Sequence, residues 1–141
     1  MDSNLIRVGS WLLRIALAIG FLSAVADRFG LWGSPGSPGV AWGDLVQFNA
    51  YVAKLNWFVP ARLIPVVGWA STVAETGLAL TPLIGWKLRW VSFATGLLLL
   101  SFAATMTVAL GSKAPLTFSV FTAAAAAFLL FAVQLGRESE K

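Results

Sequence analysis

The chain has 141 residues, 58% of them hydrophobic and only 11% charged, with a net charge of +4 and no His or Cys. With a mean hydropathy of +0.81, this is the composition of an integral membrane protein, with no length left for a separate soluble domain. Disulfides, thiol catalysis, Cys-ligated clusters and His-ligated haem or zinc are excluded, so no metal is expected, and a redox role would need a quinone-like cofactor or a partner chain.

Four apolar segments, at about residues 5–29, 63–84, 88–110 and 116–135, are each long enough to cross the hydrocarbon core of a bilayer. The predicted fold is an all-α integral membrane protein. Its architecture is an up-down four-transmembrane-helix bundle with a long first connection, all in one membrane domain over residues 1–141.

The first segment carries a lone Arg14 in its apolar run. Arg7 and Arg14 ahead of Ala24-Val25-Ala26 also resemble a signal peptide with a small-x-small cleavage site, but Arg14 breaks that pattern. We therefore expect the segment to be retained as a helix.

The first connection is the long one. Gly33-Ser34-Pro35-Gly36-Ser37-Pro38-Gly39 is turn-rich and cannot be regular helix. Asp44 reads as an N-cap. Leu45, Phe48, Val52, Leu55 and Val59 then recur at helical spacing, with Gln47, Tyr51 and Lys54 opposite. Residues 44–58 are thus predicted to form a short amphipathic helix that lies in the interface or caps the bundle. A connection this long in so small a protein is a place to look for function.

The second segment carries a lone Glu75. Charges inside such helices are costly and usually pair. If the first helix ends near Asp27 and the second starts near Arg62 at the same face, Arg14 and Glu75 both lie about 20 Å down. That register predicts a buried Arg14–Glu75 ion pair. Ser71, Thr72 and Thr76 share a side of the helix with Glu75, and Ser10 shares one with Arg14. With Asp27 and Arg28 they are the candidate lining of a polar site. Such a site has three readings: a structural ion pair, the lining of a cavity for a quinone headgroup, or a proton-coupled transport site centred on Glu75. A carboxylate held by an arginine is a poor proton carrier, which disfavours the third.

The later connections are short, so they force antiparallel neighbours. Pro115 suits the first turn of the last helix. Trp32, Trp42 and Trp57 at one end of the helices, and Trp86 and Trp90 at the other, read as aromatic belts. The basic residues are scattered at predicted helix ends, where they meet lipid headgroups rather than nucleic acid, and their balance favours both termini in the cytoplasm. Small residues recur four apart at Ala16, Gly20 and Ala24, at Gly68, Thr72 and Thr76, and at Ser119, Ala123 and Ala127, which allows close helix approach.

The run from Arg14 through Gly20 to Asp27-Arg28-Phe29 resembles the first helix of DoxX-type membrane proteins. Those begin with an Arg, carry a Gly about six residues later and end on an Asp-Lys-like pair. Gly68 through Arg89, with Glu75, Gly77, Leu80 and Gly85, is similar to that family's second helix and its exit loop. The DoxX/DoxD-type family includes a subunit of thiosulfate:quinone oxidoreductase and subunits of membrane redox complexes. The resemblance implies a bacterial-type cytoplasmic (inner) membrane protein that is a subunit of a redox or respiratory assembly. It would contribute to a quinone site or anchor a protein partner, or form a homo-oligomer. It supplies no catalytic residue set, and the absence of Cys departs from any thiol-exchange role. The alternatives are a small proton-coupled transporter centred on Glu75 and a purely structural accessory subunit.

Overall fold

The computed structural model describes residues 3–139, with side chains from residue 4 to residue 136. Helix α1 spans Ser3–Arg28, α2 Leu45–Leu55, α3 Ile64–Ile84, α4 Leu88–Leu110, α5 Lys113–Thr117 and α6 Val120–Ser139. A single 3-10 turn, Ala61–Leu63, leads into α3. All regular structure among the described residues is helical. Three stretches, Asn4–Arg28, Ala61–Ile84 and Leu88–Leu110, are long and apolar enough to cross a membrane. We read the chain as a membrane protein on that basis.

Local signals explain most boundaries. Pro65 lies in the first turn of α3, where no intrahelical donor is lost. Gly85 ends α3 in the left-handed conformation. Asp44 caps α2 by accepting from the Gln47 N–H at 2.7 Å.

The last apolar segment departs from the prediction of one helix over 116–135. Pro115 sits inside the short α5, and the chain breaks at Phe118–Ser119 before α6. Ser119 takes φ 54, a left-handed backbone that interrupts the helix although no Gly or Pro marks the place.

Two cores result. The larger joins Leu17, Ala18 and Phe21 of α1 with Ala79 of α3, Leu88 and Leu99 of α4, and Ala124, Ala127 and Leu130 of α6. Here α4 and α6 approach closely, and a Cβ at Gly96 would come within 2.8 Å of the Phe128 ring. Phe93 packs on Phe128 and Phe131 beside it. The smaller core is Phe48 and Val52 of α2 with Ile64 of α3, flanked by Trp42, Leu45, Val59 and Val67. It seats the amphipathic helix across the start of α3, so α2 caps the bundle.

Candidate functional site: a lidded ion pair

The site begins at the C-terminal end of α1. Asp27 is buried and turns its carboxylate to the first connection. Oδ2 accepts from the Ala41 N–H at 2.8 Å, and Oδ1 accepts from the N–H groups of Trp42 at 3.2 Å and Gly43 at 2.8 Å. A carboxylate gripping successive backbone donors makes charge-assisted bonds, which are among the stronger ones. The grip requires glycine at position 43. Its φ is +75, and a Cβ there would collide with the backbone of Pro35. Asp27 thereby folds the Gly- and Pro-rich connection back over the end of α1.

The next residue points inward. Arg28 Nη2 lies 2.7 Å from both carboxylate oxygens of Glu75. Its Nη1 donates to Thr72 Oγ1 at 2.8 Å. The Ser71 hydroxyl donates to Glu75 Oε1 at 2.7 Å. Arg28 is 3% exposed and Glu75 2%, so the pair is withdrawn from solvent and its geometry has to offset a large desolvation cost. Helix α2 closes it from above. The Phe48 ring lies 3.9 Å from the Arg28 guanidinium carbon, and the Trp42 ring 5.4 Å. Both contacts fall within cation–π range. Tyr51 packs against Trp42 with ring centroids 5.6 Å apart and planes tilted by 51°, and burial raises its phenol above the ordinary value. Asn49 presses on Gly68 of α3 so closely that a Cβ at Gly68 would overlap its side-chain oxygen.

The ion pair corrects the sequence expectation. Glu75 is held by Arg28, not by Arg14. Arg14 starts about 21 Å farther down α1, beyond the reach of an arginine side chain to the same carboxylate. The expected register assumed that the end of α1 and the start of α3 lie at one level. Instead Arg28 meets Thr72 and Glu75, well inside α3, so the start of α3 stands about two turns beyond the end of α1. The folded connection and α2 occupy that step. Arg14 is itself buried, with its guanidinium 4.6 Å from the Trp11 ring, and Ser10 is buried one turn away on the same helix.

Of the sequence candidates, the fold brings together Asp27, Arg28, Ser71, Thr72 and Glu75. Thr76 sits at the edge and donates to the Thr72 carbonyl at 2.8 Å. Ser10 and Arg14 belong elsewhere in the bundle. Sequence reasoning placed Phe48 on the apolar face of α2 and Trp42 in a belt, but missed that both cover a charge. Trp32, Trp57, Trp86 and Trp90 are exposed, as belt residues are, whereas Trp42 is half-buried. Nε of Arg28 is buried without an acceptor among the described residues. No family model, no curated protein and no solved structure matches this chain.

Proposed function

We infer that the chain is a DoxX-like subunit of a redox or respiratory assembly, with four membrane spans and both termini on the cytoplasmic side of a bacterial-type inner membrane. The lidded Arg28–Glu75 site would be where it meets a quinone or a protein partner. The observation that carries this reading is the position of the site. The ion pair lies under the rings of Phe48 and Trp42, and Arg28 Nε has no acceptor among the described residues, so a ligand carbonyl would reach it only if that cover lifts. A quinone offers a carbonyl acceptor and a flat ring that suits Trp42 and Phe48. The four-span topology is supported by the short α3–α4 turn and by the apolar run Val120–Gly136 in α6.

Saturation of Glu75 by Arg28 and Ser71 weighs against a proton-coupled transporter centred on it. The test is purification from the native membrane in mild detergent, followed by an intact-complex mass spectrum and quinone extraction. A redox enzyme held in fixed ratio, or a bound quinone, is the expected result. A lone monomer or homodimer without cofactor overturns it. A partner without quinone, with activity indifferent to Arg28→Gln, would make the chain a structural accessory subunit.

A further inference from the structure

The cover over the ion pair is fastened at few places. Its own core, Phe48 and Val52 of α2 with Ile64 of α3, shares no residue with the larger core of the bundle. Helix α2 runs back along the start of α3. Phe48 and Asn49 lie against Gly68, and only residues 56–60 separate the end of α2 from the 3-10 turn Ala61–Leu63. Ahead of α2, the backbone donors of residues 41–43 all end on one carboxylate, that of Asp27. A segment with a small core of its own, one side-chain fastening and a short tether is the kind of unit that opens locally while the rest of a fold stays closed.

Closure also leaves a donor unmet. Nη1 and Nη2 of Arg28 are answered by Thr72 and Glu75, but its buried Nε has no acceptor among the described residues. The rings that cover the guanidinium, Phe48 and Trp42, both belong to the covering segment. Neither carries an oxygen to accept from it. A buried donor left unpaired favours any state in which water or a ligand oxygen reaches it. The closed position is therefore opposed by the cation it covers.

We propose that residues 41–59 are a lid that lifts from the Arg28–Glu75 pair as one unit, and that the Asp27 carboxylate is the fastening that gives. Lifting opens Nε of an arginine already oriented by Glu75 and Thr72 to a neutral carbonyl acceptor. As a gate for a ligand, the lid rests on the function inferred above; its opening does not.

The test uses the full chain in mixed micelles. The chain has no cysteine, so one introduced thiol reports on its own position. Val52→Cys places it in the small core and Ala127→Cys in the larger one, and both positions are buried. N-ethylmaleimide should modify Val52→Cys about ten times faster than Ala127→Cys, because the small core opens without global unfolding. Adding Asp27→Asn should speed Val52→Cys about ten-fold again, as expected for the loss of charge-assisted bonds. Should Val52→Cys misfold, Ile64→Cys reports on the same core from α3. Equal rates in the two cores, or a lid rate indifferent to Asp27→Asn, overturns the proposal.

A bridge separates the lid from its ligand. Asn49 Cγ stands 3.5 Å from the Cβ that position 68 would carry, close enough for Asn49→Cys with Gly68→Cys to form a disulfide. Oxidation should abolish binding of decylubiquinone, and reduction should restore it. Fast modification of Val52→Cys without decylubiquinone binding in either state keeps the lid and removes the quinone reading. Binding that survives oxidation overturns the lid as the way in.

Discussion

The two ends of α3 treat positive charge in contrasting ways. Toward its start, Arg28 is sealed beneath Phe48 and Trp42 and both oxygens of Glu75 answer it. Beyond its end, the exposed Lys87 and the half-buried Arg89 border an open cleft. The comparison shows that cover, more than charge, divides these two ends into a closed one and an open one. Where Glu75 is present, the cation is part of the core. Beyond the end of α3, Lys87 is exposed instead.

Breaking the closed end should have the largest effect. Glu75→Gln leaves a buried guanidinium uncompensated and should cost about 3–5 kcal/mol, measured by denaturation in mixed micelles. Arg28→Met combined with Glu75→Leu should recover much of that loss, because two apolar groups replace two charges. A double variant as unstable as the sum of the singles would show that the pair is not the source of the effect. Lys87→Asn at the open end should stay within about 0.5 kcal/mol of the parent, like most surface changes.

A smaller effect is expected at the hinge between lid and bundle. Asp27→Asn removes the charge that three backbone donors share. It should cost about 1–3 kcal/mol and speed proteolysis within the connection between Gly30 and Gly43. Unchanged cleavage would mean that the loop is held by something other than Asp27. Gly68→Ala drives a methyl group into Asn49 and should cost about 1 kcal/mol or somewhat more by lifting α2. Asn49→Ala should relieve it.

The slightest effect sharpens the picture of the lid. Tyr51 is the sole tyrosine, so its titration can be followed alone by absorbance. Burial holds its phenol above the ordinary value of 10.0. The folded state therefore keeps the proton longer than the unfolded chain. The associated stability is complete below about pH 10 and is lost as pH rises through the folded midpoint. A midpoint at the ordinary value would mean that α2 does not pack against Trp42 as described.

Much of this arrangement could be read from residue order. Apolar length located three of the helices, Asp44 announced α2, and the lone Glu75 marked the polar interior. Asp27 and Arg28 were candidates for the site from their place at the end of α1. The partner of Glu75 was not legible, because depth counting needs the relative level of two helix ends, and the long connection between them leaves that level free. The lid was half legible. Spacing gave Phe48 an apolar side to face but could not say that the side covers a guanidinium. The break at Ser119 left no trace in composition, since its cause is a backbone angle on an ordinary residue.

That break has a consequence for the surrounding lipid. Beyond Ser119 the apolar run Val120–Gly136 extends only about 26 Å at 1.5 Å per residue, against a hydrocarbon core of about 30 Å. Its neighbour α4, at 23 residues, is long enough for the full thickness. In a four-span topology the protein therefore presents a tall side and a short one. In that topology the shortfall beside α6 is met by local thinning of the leaflets or by snorkelling of its flanking residues, so α6 rather than α4 would sense the thickness of the membrane.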